Sequence, residues 1–214
     1  MEIVQTISWM LFLAVLWFCW PAEGLNKLRQ DKGYQHLVFG TSVLLFFLWG
    51  MKAGIREGLD IHFLGLVVLT LSHGARTAVW ICAAVLLSML LLGMVPLQEA
   101  GLFSLTHMVI PIFFSYLIFL LSYHLLPHHL FVYIFVAGFF NAGLTLILHQ
   151  CLVAGWYWLA DIHTWKSIWH DYLRLSLLMW FPEALLSGMA ITLMTIYRPQ
   201  WLKTYSDRDY LSPS

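Results

Sequence analysis

Long apolar runs with few charges decide what this chain can become. Six stretches, near residues 3–20, 37–55, 77–97, 105–126, 130–155 and 175–197, each come close to the required length. A helix needs about 20 apolar residues to cross a hydrocarbon core about 30 Å thick. Only 10% of the residues are charged and 61% are hydrophobic, where a soluble domain carries roughly 25% charge. The expectation is an all-α, polytopic integral membrane helical bundle, a single transmembrane domain over residues 1–214.

A seventh run, "FLGLVVLTLS" at 63–72, is too short to cross alone. Extended back through "GLDIH" it can just cross, or it enters and returns, which is tolerated where protein or a cavity surrounds it. The bundle is thus expected to have about seven transmembrane segments, one short or re-entrant. The first, residues 1–20, lacks the basic start and small-residue cleavage site of a signal peptide.

With the N-terminus outside, the inner loops hold Lys27, Arg29, Lys32, Arg76, Arg198, Lys203 and Arg208, and the outer loops Lys52, Arg56, Lys166 and Arg174. That asymmetry favours N-out, C-in, with the polar tail 199–214 on the cytoplasmic side. The partner expected from composition is membrane lipid. Net charge is zero, so no basic field points to nucleic acid. Cys19, Cys82 and Cys151 form no CxxC pair and read as small apolar residues.

In this orientation two copies of the tripeptide Asp-Ile-His, at 60–62 and 161–163, face the same side. Their backbone contexts differ. Asp60 and His62 lie between Gly58 and Gly65, where extended chain lets residues i and i+2 converge. Asp161 and His163 fall in the outer loop 156–174, rich in Trp and Tyr. That loop reads as an amphipathic interfacial helix. On it Asp161 and His163 diverge, and Asp161, His163 and His170 become parts of a lid.

Carboxylate with imidazole suits divalent first-row metals. A second histidine cluster, His124, His128 and His129 in "SYHLLPHHLF", resembles one box of a membrane di-iron enzyme, which needs three such boxes. His36, His73 and His149 fall near segment ends and read as interfacial. Glu183 sits half-way along the last span, beside Pro182. An intramembrane carboxylate marks a functional or packing site, and a hydrogen bond to Asn141 is one structural solution. Gly138 and Ala142 form a small-residue spacing that permits close helix approach. There is no P-loop, GxSxG, HExxH or redox dithiol, so neither ATPase nor enzyme is expected.

The runs "AGIREGLDIHFLGLVVLTLSHG", "LLPHHLFVYIFVAGFFNAG" and "LLMWFPEALLSGMAITLMTIYRPQW" resemble bacterial membrane proteins placed with the CbiM-type cobalt/nickel permeases. Those are substrate-binding components of energy-coupling factor ABC transporters. The resemblance covers about residues 50–201. It implies a seven-helix domain with an outward-facing site, a transmembrane coupling subunit and cytoplasmic ATPases as partners, and cobalt or nickel as cargo. It also implies a metal held by the terminal amine, a second-position histidine and a histidine after the second span. His62 matches the last of these. The chain begins Met1-Glu2, with no histidine there, while His107 falls near an asparagine position of the permeases. The expected metal site is therefore His62, Asp60 and His107, with affinity falling as pH drops through about 6.5, the ordinary imidazole value. A non-transport structural or assembly factor on the same scaffold, and a His-rich membrane metalloenzyme, stand as the other readings.

Overall fold

The structure, a computed structural model, describes residues 2–56 and 58–210. Helices α1 (Glu2–Phe18), α2 (Ala22–Gln30), α3 (Lys32–Gly50), α4 (Leu66–His73) and α5 (Ala75–Leu91) come first. Three long helices follow, α6 (Leu97–Leu125), α7 (Leu130–Leu159) and α8 (Trp165–Tyr197). Among the described residues these three are each long and apolar enough to cross a membrane, and α1 with α2, bent by 62° at their break, passes as a fourth only as a pair. The remaining helices complete an all-α polytopic membrane bundle.

Pro21 stands between α1 and α2, so the chain turns there and α2 carries its charges, Glu23, Lys27 and Arg29, without burying a residue. The bundle has two distinguishable ends. At one, loop 51–64, the start of α6 and the end of α7 line a common cavity that also takes Gln5 of α1. At the other, α2, the end of α4 and the tail meet. There Lys203 N–H donates to Ser72 O and Thr204 N–H to Leu71 O, and Lys203 pairs with Glu23 at 3.0 Å. Gln5 and the tail thus lie at opposite ends of the bundle.

The short run at 63–72 settles into an arrangement the periodicity did not specify. Residues 51–56 and 58–65 are not helical. An isolated antiparallel bridge between Ala53 and Ile61 folds them back on themselves. Gly65, at φ 65°, occupies the left-handed region that glycine enters without steric penalty, and α4 starts after it. Expected segments shift accordingly: 37–55 becomes α3 at 32–50, and 77–97 becomes α5 ending at Leu91, ahead of Gly93 and Pro96.

The expected interfacial helix within 156–174 is not a separate element. Residues up to Leu159 belong to α7, a turn follows with Asp161 at φ 55°, and helix resumes at Trp165. Thr164 caps it by accepting from Ser167 N–H. With no Gly or Pro before Pro182, the helix runs straight on into the last span. Ile168 and Tyr172 are both wholly buried, while Trp165 and Trp169 are about half exposed, so one face of this stretch packs on the bundle and the other stays open.

The core between α3, α4, α5, α6 and α7 holds Leu45, Trp49, Leu66, Cys82, Met108 and Leu146. Helices α7 and α8 approach closely. Gly138 meets Ile191 there, and a Cβ on Gly143 would collide with the Trp180 indole. Ala142 is also buried, so the small-residue face extends by one residue from the expected pair.

Candidate metal centre

Three histidines from three elements converge beneath the cavity at the first end of the bundle. His62 comes from the folded-back loop, His107 from α6 and His149 from α7. One nitrogen of each lies within 4.8 Å of the others. Ring centroids of His107 and His149 are 4.4 Å apart, and His62 is 5.9 and 5.8 Å from them. A metal with M–N bonds of about 2.0–2.1 Å sets three nitrogens at angles of 90–120° roughly 2.8–3.6 Å apart, so side-chain rotations close the group on one ion.

Local structure presents each ring. Leu105–Val109 of α6 is a π-helical turn, the kind of irregularity that re-aims side chains at functional sites. It carries both Thr106 and His107. On α7, Asn141, Thr145 and His149 form a polar stripe at i, i+4 and i+8, each 2% exposed or less. The loop bearing His62 is fastened from three directions. The Trp49 indole donates to Leu64 O at 3.1 Å. Ala53 and Ile61 exchange two backbone bonds. Both Glu183 oxygens accept, one from Leu64 N–H at 3.0 Å and one from Gly65 N–H at 2.9 Å.

All three imidazoles are held through Nδ1. His62 Nδ1 meets Phe63 O at 3.1 Å and His149 Nδ1 meets Thr106 O at 3.1 Å. A carbonyl only accepts, so both nitrogens carry the proton. His107 Nδ1 lies 2.9 Å from Thr106 Oγ1, whose own proton goes to Leu102 O at 3.0 Å. The hydroxyl therefore accepts from His107 as well. Proton on Nδ1 leaves the lone pair on Nε2, the arrangement that outer partners impose on metal-binding histidines. Thr106 orients two rings by itself. Phe103 stacks on His107 at 4.0 Å and closes one side. Burial pushes the loop imidazole of His62 below its ordinary value, which keeps it neutral and able to coordinate.

Of the expected ligands, the structure brings His62 and His107 together, and His149 is the third imidazole within reach of them. Asp60 Oδ2 instead accepts from Lys52 Nζ at 2.6 Å, and its carboxylate lies outside the ligating group. Met1 lies outside the described residues. Glu183 and Asn141 do not bond each other. Asn141 Nδ2 donates to Ser115 O and Ala137 O, both at 3.0 Å, and its Oδ1 accepts from Thr145. Asn141 is spent within α6 and α7, which leaves Glu183 to the loop.

Among the expected lid residues, His163 lines the cavity and stacks on Tyr157 at 5.4 Å. Asp161 is exposed, and His170 sits beside Arg174 at 3.2 Å. The contact that ties this edge to the loop is Arg56–Asp171, at 2.8 Å. The other histidines stand apart. His128 lies 2.8 Å from Tyr123 O, His129 accepts from Phe131 N–H and His124 is exposed. His73, expected at an interface, is 1% exposed and contacts Tyr34 and Thr41.

The cavity above the imidazoles measures about 420 Å³ and is walled by Trp49, Lys52, Asp60, Trp156, Tyr157 and His163, among others. A larger groove of about 750 Å³ between α2, α3 and α5 is lined mainly by apolar residues such as Phe39, Val43, Phe46 and Trp80. It holds none of the three histidines.

A family model described as CbiM, cobalt uptake substrate-specific transmembrane region, matches residues 2–201. Two solved structures share the fold, each at 17% identity, a TM-score of 0.67 and 92% of this chain covered. One is of a truncated transition metal transporter, with 95% of that chain covered, and the other of a transition metal transporter, with 89% covered. No curated protein matches.

Proposed function

This chain belongs to the CbiM family of cobalt-uptake substrate-specific transmembrane regions, and from that premise we propose that it is the substrate-binding subunit of an energy-coupling-factor-type transporter. Its cargo is a divalent transition-metal ion such as cobalt or nickel, held by His62, His107 and His149. The observation that carries this reading is the convergence of three Nδ1-tethered imidazoles on one point beneath a cavity. Imidazole suits first-row divalent ions of this kind. The protein acts by binding and release and has no catalytic role of its own.

It resides in the bacterial cytoplasmic membrane with its N-terminus and metal site outside and its tail inside. A coupling subunit and cytoplasmic ATPases supply the energy, since the chain carries no nucleotide-binding motif. The test is calorimetric titration of the purified apo-protein with cobalt or nickel, beside His149→Ala. The reading expects one site per chain, weakened at least tenfold in the variant. Equal binding by both proteins removes the three-histidine site.

A further inference from the structure

The groove between α2, α3 and α5 suits hydrocarbon. Thr77, Ala84 and Ser88 of α5 and Ser42 of α3 line it with small side chains, and Phe39, Phe46 and Trp80 with large ones. The Ser42 hydroxyl donates to Val38 O at 2.7 Å and the Ser88 hydroxyl to Ala84 O at 3.0 Å. Both are taken up within their own helices, which leaves little for a polar ligand to bond. From Tyr34 to Phe47 the groove follows roughly 20 Å of helix, somewhat more than one leaflet's share of a core about 30 Å thick.

Helix α2 closes one end of the groove and makes that end basic. The chain bends by 62° between α1 and α2, which turns α2 toward the membrane plane. Its Pro21, Gly24, Leu25 and Leu28 line the groove, and a Cβ on Gly24 would meet the Thr77 hydroxyl at 2.8 Å. Lys27, Arg29, Lys32 and Arg76, on α2 and at the starts of α3 and α5, are all exposed. None of the four joins a salt bridge among the described residues. Lys27 Nζ stands 4.7 Å from the ring centre of Tyr34, itself a groove residue. The carboxylates on these elements are engaged, Glu23 by Lys203 and Asp31 by Tyr34 N–H. Asp207 and Asp209 belong to the turn that packs Tyr210 on Tyr123 and Tyr133 of α6 and α7. An amphipathic helix with Lys and Arg on its polar face lies at head-group level. The apolar groove therefore opens directly beneath a cluster of unpaired cations.

We propose that this groove binds one phospholipid with an anionic head group, drawn from the leaflet on the tail side. An acyl chain lies along α3 and α5, and the head group sits among Lys27, Arg29 and Arg76. Basic residues at the membrane surface attract anionic lipid, and the groove supplies the apolar half that makes the contact a site. It is separate from the metal centre and does not depend on what the three histidines bind.

The experiment titrates full-length protein in detergent with phosphatidylglycerol or phosphatidylcholine of identical acyl chains and weighs the intact complexes by native mass spectrometry. One phosphatidylglycerol per chain is expected, at a concentration at least tenfold below that needed for phosphatidylcholine. Each cation beside an anionic head group is worth roughly fivefold in affinity. Lys27→Gln combined with Arg76→Gln is therefore expected to weaken phosphatidylglycerol binding about 20–30-fold, and Lys166→Gln, at the opposite end, to leave it unchanged. Ala84→Phe fills the groove and is expected to weaken both lipids. Its folding is checked by thermal unfolding, and the exposed charge variants decide the question if it fails to fold. Equal binding of the two lipids, or binding that the charge variants leave unchanged, overturns the proposal. So does a folded Ala84→Phe protein that binds lipid as the native chain does, or a co-purifying protein that excludes phosphatidylglycerol from the groove.

Discussion

Glu183 is the residue whose removal reports most on how the metal loop is built. Its two oxygens accept from Leu64 N–H and Gly65 N–H, two and three residues beyond His62. The carboxylate is 2% exposed and Leu64 1%, so water does not take its place. Each buried donor left without a partner costs about 1–3 kcal/mol. Glu183→Ala orphans both and is expected to destabilise the protein by about 2–6 kcal/mol, a large part of a typical stability. Glu183→Gln keeps one acceptor oxygen and turns donors toward the other amide, so it loses roughly half of that. Because the lost bonds hold the His62 loop, nickel affinity is expected to fall by about 10–100-fold, as for other outer-shell partners of metal ligands. Thermal unfolding in detergent and calorimetric nickel titration measure the two effects. A Glu183→Ala protein with unchanged melting temperature and nickel affinity refutes the reasoning.

Four further outcomes are expected. Asp60→Asn changes nickel affinity less than threefold by calorimetry, because its partner is Lys52 and partly exposed ion pairs contribute only about 0–1 kcal/mol. Thr106→Val, which removes the hydroxyl that accepts from His107 but keeps the carbonyl held by His149, weakens nickel binding about tenfold. Gly143→Val forces a side chain into the Trp180 indole and costs about 1–3 kcal/mol, read by thermal unfolding. Nickel affinity measured against pH has its midpoint below 6.5. The His62 value is lowered by burial, so its neutral, metal-binding form persists below the ordinary imidazole range and is lost as pH falls through the lowered value. That same sign makes His62 a stability loss at acid pH, where the unfolded chain binds the proton more readily.

The membrane class, the long helices and the Gly-flanked loop at His62 were legible because apolar length and glycine position act locally. The bridge at Ala53–Ile61 and the left-handed Gly65 are both in keeping with that reading. The family resemblance also pointed to the matching family. His149 was not legible from its distance to a segment end. The available signal was the Asn141, Thr145, His149 spacing, a polar stripe along an otherwise apolar span, which marks an inward face. The partners of Asp60 and Glu183 depend on how a folded-back loop meets a helix more than a hundred residues away, and no local pattern encodes that contact. The amphipathic pattern within 156–174 is visible in the sequence alone. Tertiary packing then buried Ile168 and Tyr172 and joined it to the last span.

X-ray absorption on nickel-loaded protein tests the central claim most directly. The account predicts three imidazole nitrogen scatterers at roughly 2.0–2.1 Å, falling to two in His149→Ala. A spectrum without imidazole scattering, or one that His149→Ala leaves unchanged, contradicts it.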